Sequence, residues 1–131
     1  MTPQLVHVPL IGWTPKSRTN TCGFSVTTYG PQQSVDSWRP DCGNGVRPDG
    51  TSFVTGNDPT DTSIAIGPAF VSEWIAHLRA RFGGAGQGGV RYYNLDNEPE
   101  LWNSTHRDVR PQPLGYDELL QRSVAYARAI K

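Results

Sequence analysis

Three acids stand at alternate positions in Asp96-Asn97-Glu98-Pro99-Glu100. In extended backbone, alternate side chains project to the same side. Their carboxylates would then repel one another, and one of them can be held protonated near neutral pH. A neutral carboxylic acid on rigid backbone is a general acid, the group needed to protonate the oxygen that leaves when a glycosidic bond breaks. Glu98 is the candidate for that role, and Asn97 beside it would supply a hydrogen bond. Pro99 has no amide hydrogen and biases the residue before it toward extended backbone, so Glu98 is expected at the very tip of a strand. Trp13, Trp102 and Trp38 could offer flat faces to sugar rings, although for any single tryptophan core packing is the competing account. A polar strand-to-loop turn is the plain alternative for Asn-Glu-Pro itself.

Other polar groups carry less. Ser104, His106 and Asp108 contain the residue types of a hydrolytic triad, but residues this close in sequence cannot form the required chain of hydrogen bonds. His106 and Arg107 follow the acidic tip, so they would line a cleft or orient Glu98; a solvated loop is the other account. His7 lies in an apolar run and His77 on a helical stripe, and both read as structural.

The elements that must hold these groups are legible from pattern. Gln4 to Trp13 is a nearly continuous apolar run, read as one buried strand with Pro9 as a bulge or its approaching end. Residues 14–67 lose all periodicity and read as one long loop. Loops of that length are functional or disordered, and the interleaved Phe24, Tyr29, Trp38 and Phe53 favour an ordered excursion. Pro68 to Phe82 reads as a helix with Phe70, Val71, Trp74, Ile75, Leu78 and Phe82 on one stripe. The glycine-rich run 83–89 contains a formal G-x-G-x-x-G, but it follows a helix and opens a strand, the reverse of a dinucleotide site. It reads as a flexible connector. Val90 begins the strand that ends at Glu98, and Tyr116 to Lys131 reads as a second helix with Leu119, Leu120, Val124, Ala127 and Ile130 inward. Two strand-then-helix units in succession imply an α/β fold with parallel strands. Two units cannot close a barrel of ~250 residues, so the chain reads as part of a (β/α)8 TIM barrel, about two βα units with one long loop excursion.

The 131 residues suffice for one modest domain and carry 12 basic and 12 acidic side chains, for a net charge of zero. Without a basic stripe, nucleic acid and anionic membrane are poor partners. No apolar run approaches the ~20 residues of a membrane helix, and the first ten residues do not read as a signal peptide. Strand-like sequence directly after Met1 suggests a start inside a larger domain. A bridge between Cys22 and Cys42 would staple the long loop and suit an oxidising compartment, and two unrelated thiols are the alternative. Neither has zinc-type spacing to a second ligand.

The sequence resembles glycoside hydrolase family 44, endo-acting β-1,4-glucanases and xyloglucanases, over most of its length. The likeness rests on Ile11-Gly12-Trp13, Tyr29-Gly30, Gly56-Asn57-Asp58-Pro59, Tyr92 through Trp102, Thr105-His106-Arg107-Asp108-Val109 and Tyr116-Asp117-Glu118-Leu119. The Asn-Glu-Pro triplet is shared by many barrel glycosidases; the longer run into Thr-His-Arg-Asp is far more specific. The resemblance implies a (β/α)8 barrel hydrolysing β-glucan with retention, with Glu98 as acid/base and Asn97 contacting the sugar hydroxyl next to the reacting carbon. It places the nucleophile, a second glutamate, on a later strand beyond this sequence. It also implies calcium, for which Asp58 and Asp61 offer hard oxygens, a solvated Asp/Pro turn being the alternative. The expectation is a secreted enzyme segment without its nucleophile, acting on β-glucan and needing no organic cofactor. Trp13, Trp102 and His106 are its expected substrate contacts. The rival is a non-catalytic carbohydrate- or calcium-binding module.

Overall fold

A computed structural model describes residues 4–19 and 22–131. Strand β1 (Gln4–Val8) pairs in parallel with β4 (Val90–Leu95), in the register Leu5 to Tyr92, His7 to Asn94 and Val8 to Leu95. Helix α2 (Pro68–Phe82) lies between them in sequence, and α4 (Tyr116–Ile130) follows. Both helices pack on the sheet face that carries Val8, Tyr93 and Leu95, where Leu10, Val71, Ile75, Trp102 and Tyr126 complete the buried core. The opposite face carries Leu5 and Tyr92, both more than half exposed.

The first strand is shorter than its apolar pattern predicts. Pro9 lacks the N–H that a ladder needs, and Gly12 turns the chain at φ 87°. Trp13 therefore belongs to a separate strand, β2 (Trp13–Pro15), paired antiparallel with β3 (Ser63–Ala65). This pairing refines the reading of 14–67 as one long, ordered loop excursion: it leaves along β2 and returns along β3, so its ends are zipped together. Between them lie the short helix α1 (Val26–Tyr29), a 3-10 turn at Pro59–Asp61 and isolated bridges Ser25–Cys42, Val35–Gly43 and Val46–Phe53. Cys22 and Cys42 form a disulfide, with their Cα atoms 4.8 Å apart. Residues 20 and 21 of this stretch lie outside those described.

The helices follow their predicted bounds, but their buried faces are narrower than predicted. On α2, Val71 and Ile75 are buried while Phe70 and Phe82 are exposed; on α4, Leu120 and Val124 are exposed and Tyr126 takes the central place. A two-stranded sheet covers only part of a helical stripe. The glycine-rich run is likewise no loose connector. Ala85–Gln87 form a 3-10 turn, and the Gln87 side chain accepts a hydrogen bond from the Gly84 amide at 3.1 Å. Gly89 packs so closely on the Gly83 carbonyl that a Cβ would overlap it.

An ion-pair chain ties α4 down. Arg110 and Arg122 both hold the Glu118 carboxylate, at 2.5 and 2.9 Å. Arg110, and to a lesser degree Arg122, holds the Glu118 carboxyl below its usual range, against the opposing effect of burial. Hydrogen bonds from Ser52 and Thr51 bring Asp49 down to about 2. Ser25 lowers Asp41 and Thr60 lowers Asp58. Each folded-state value lies below the unfolded one, so the stability they add is present above the unfolded values and is lost as pH falls through the folded ones. Denaturation midpoints are expected to be flat above about pH 4.5 and to drop progressively toward about pH 2. A plateau persisting down to pH 2 in urea titrations would contradict this.

Candidate active site

The tip of β4 is built around Asp96. Its Oδ2 accepts the Leu10 amide at 2.6 Å and its Oδ1 accepts the Asn97 amide at 2.7 Å. Its own N–H donates to the Val8 carbonyl at 2.9 Å, and the Asn94 side chain donates to its carbonyl at 2.6 Å. To make these bonds Asp96 takes φ 65°, a left-handed conformation that Asp tolerates better than most residues. Glu98 follows in the same region, at φ 46° and ψ 53°, and Pro99 opens a 3-10 turn ending at Leu101, which leads into the short helix α3 (Trp102–Thr105).

Two expectations are corrected here. Glu98 is not extended: Pro99 disfavours right-handed helical backbone before it, and the left-handed region serves a chain that must reverse from strand into turn. Nor do Asp96, Glu98 and Glu100 alternate along a strand, since the strand ends at Leu95 and Glu100 lies in the turn. The geometry that would set the three carboxylates on one side of a strand is therefore absent. The Glu98 side chain is exposed, makes no ion pair among the described residues, and has the Asn97 amide 3.5 Å from its Oε2. A non-glycine residue held in the left-handed region costs about 1 kcal/mol or more, and such strain gathers at functional sites.

A cleft of about 430 Å³ opens beside this tip, lined by Trp13, Asp96, Trp102, His106, Asp108 and Val109 among others. Trp13 is half-buried on its wall and His106 is exposed beside it. Glu98 is not among the lining residues; its neighbour Asp96 is. Trp102 corrects a further expectation: at 2% exposure it is a core residue backing the cleft, with no ring face free for a sugar. Trp38 is 92% exposed and lies away from the cleft wall.

Arg107 neither lines that cleft nor orients Glu98. Its guanidinium lies between two rings, 4.7 Å from the Phe24 centroid and 4.2 Å from that of Phe53. It donates to the carbonyls of Gly45 at 2.7 Å, Asn44 at 3.3 Å and Val54 at 3.4 Å. Burial lowers its pKa, with Asp108 opposing. Arg107 thus pins the long excursion to the loop after β4, as does Asn57, whose side-chain amide donates to the Asp108 carbonyl at 2.8 Å. Nothing in the sequence pattern singled out this role, nor that of Asp96; only the Glu118–Arg122 pair carried a local signal, its helical i,i+4 spacing.

Asp58 and Asp61 share one 3-10 turn, but each is engaged. Asp58 Oδ1 accepts from the Thr60 amide and hydroxyl, and Asp61 accepts from the Tyr29 hydroxyl. Among the described residues no third His, Cys, Asp or Glu joins them into a metal-holding group. Calcium takes six to eight oxygens, so these two carboxylates do not by themselves fit the ion.

Paired parallel strands that present polar side chains at their C-terminal tips, with helices packed on one face, are the arrangement of an α/β enzyme. The family model described as glycoside hydrolase family 44 matches residues 2–131, and the chain belongs to that family. A bifunctional glucanase-xylanase from a metagenome library is 41% identical, superposes with a TM-score of 0.89, and is covered to 25% of its length by 98% of this chain. A Paenibacillus polymyxa xyloglucanase solved with xyloglucan is 25% identical, with a TM-score of 0.61 over 99% of this chain and 23% of its own. Endoglucanase A of Paenibacillus lautus is 36% identical over 66 residues, 50% of this chain and 9% of that protein. The chain thus spans about a quarter of the solved relatives and less of the curated one. Among the described residues no helix is long and apolar enough to cross a membrane.

Asp96→Ala should leave the Leu10 amide without its acceptor inside the core, at a cost of about 1–3 kcal/mol. Asp96→Asn, which keeps one acceptor and tolerates the backbone, should lose less. Thermal unfolding of the two variants checks the order, and equal losses would contradict it. Arg107→Lys should free the excursion, because an ammonium replaces neither the stacked plane nor the forked donors. Hydrogen exchange at the Val54 amide, which bonds the Gly45 carbonyl at 2.8 Å, should then accelerate without a matching change at β4.

Proposed function

We propose that this chain is part of a retaining endo-β-1,4-glucanase-type glycoside hydrolase, in which Glu98 is the general acid/base. One observation carries the reading. An exposed glutamic acid, unpaired by any cation among the described residues, is held in left-handed backbone at the tip of a parallel strand next to a cleft bearing Trp13 and His106. In the acid form Glu98 gives its proton to the leaving glycosidic oxygen as the sugar ring gains oxocarbenium character. A second carboxylate, about 5–5.5 Å across the bond, takes the sugar as a covalent ester; Glu98, now ionised, then removes a proton from the water that releases it. Asn97 holds the hydroxyl beside the reacting carbon.

The nucleophile belongs to a later strand of a longer protein. Glu100 cannot replace it, since it follows Glu98 into the same turn rather than facing it across a substrate. The bare sheet face with Leu5 and Tyr92 fits the interior of a (β/α)8 barrel that further strands complete, and the segment alone should be inactive. The solved relatives named for glucan, xylan and xyloglucan point to a β-1,4-linked polysaccharide as substrate. The Cys22–Cys42 bridge suits secretion.

In the intact protein, Glu98→Gln should reduce hydrolysis of unactivated β-glucan by about 10²-fold or more. Aryl glycosides whose leaving groups need little protonation should lose far less in the first step. Parallel rate measurements on the two substrate classes test this, and equal loss on both would remove the acid role.

A further inference from the structure

A cavity of about 720 Å³ lies not at the strand tip but between the long excursion and the loop after β4. It shares Asp108 and Val109 with the tryptophan-lined cleft, so the two hollows adjoin. On its wall stands Phe53, 57% exposed although its ring is held against Arg107. An aromatic ring both fixed and open is a stacking platform rather than core.

The polar lining combines three amides and side-chain hydroxyls with Arg107 and Asp108. Asn44, Asn57 and Ser104 already donate to the Gln33 side chain and to the carbonyls of Asp108 and Leu101, respectively, whereas no described hydrogen bond uses the Asn103 side chain. Arg107 reaches the cavity too, but its donors are directed to the carbonyls of Asn44, Gly45 and Val54, and two phenyl rings lie against its guanidinium. It is therefore not arranged to receive an anion, and Asp108 beside it would repel one. A fixed ring flanked by amides and one carboxylate suits a neutral, hydroxyl-rich ligand, whose C–H face stacks while its hydroxyls donate and accept.

We propose that this cavity is an accessory subsite for a neutral sugar unit, with Phe53 as its platform and Asn103 as a hydrogen-bonding partner. The proposal rests on the polysaccharide reading of the adjoining cleft. The unit is either a further backbone sugar, distant from the bond being cut, or a side branch of the same chain.

The test uses the intact protein carrying Glu98→Gln, so that binding is read without cleavage, with cellohexaose and a xyloglucan oligosaccharide as probes in calorimetry. Phe53→Ala and Asn103→Ala should each raise Kd, the former by about tenfold, and Phe53→Tyr should restore binding. Weakening for both probes assigns a backbone unit; weakening for the branched probe alone assigns a branch. Asn103→Ala guards against a purely structural effect, because it leaves the Arg107 stack intact. If only Phe53→Ala weakens binding, and its thermal midpoint falls with it, Phe53 is a packing residue and the subsite is overturned. Tight binding that ignores both substitutions also overturns it, while leaving the polysaccharide reading in place. A protein that binds neither probe removes that reading, and the subsite with it.

Discussion

The peptide group of Leu10 is held from both sides, and the geometry of the tip depends on it. Leu10 is 1% exposed, and a buried peptide must have both its N–H and its C=O satisfied. The sheet cannot do this, because β1 ends at Val8 and Pro9 interrupts the ladder. Two side chains do it instead. Asp96, from the tip of the neighbouring strand, accepts the N–H at 2.6 Å, and Arg122, from the last helix, donates to the carbonyl at 2.8 Å. Strand tips and helix are locked at one point, and the backbone leaving Asp96 has no freedom but the left-handed turn that exposes Glu98.

Arg122 extends this lock into the core and outward. It approaches the Trp102 ring, 5.9 Å from its centroid, and joins Glu118 and Arg110. Trp102 is consequently spent on packing. That leaves Trp13, delivered by the β2–β3 pairing, as the aromatic residue of the cleft. The excursion that supplies Trp13 has little core of its own, with Phe24 and Val54 among its few buried side chains. It depends on discrete fasteners: the disulfide, the zipped strands at its base and the Arg107 stack. Few apolar contacts and a handful of fasteners mean that its order is local and can be lost without unfolding the sheet.

Much of this architecture was legible in the residues. Both long helices have the bounds their patterns predict, because a period of 3.6 in apolar residues together with Pro68 and the glycines after Phe82 leaves few other solutions. The parallel pairing of the two strands follows from strand-helix-strand order. The Asn-Glu-Pro triplet and its surroundings marked the tip of β4. What misled was continuity. A nearly continuous apolar run from Gln4 to Trp13 read as one strand, with Pro9 marked but the turn at Gly12 missed, and alternation of acids suggested extended backbone where the chain turns left-handed.

Residue type and local pattern therefore determined the two long helices, the parallel strand pair, their order, the family and the carboxylate at the tip. These depend on short-range sterics and on which faces are apolar, both written along the chain. The tertiary structure alone decided which tryptophan is core and which lines the cleft, what Asp96 and Arg107 hold, and that a second hollow adjoins the first. Each of those depends on groups far apart in sequence meeting to satisfy buried polar atoms, and no local pattern encodes which partners will meet.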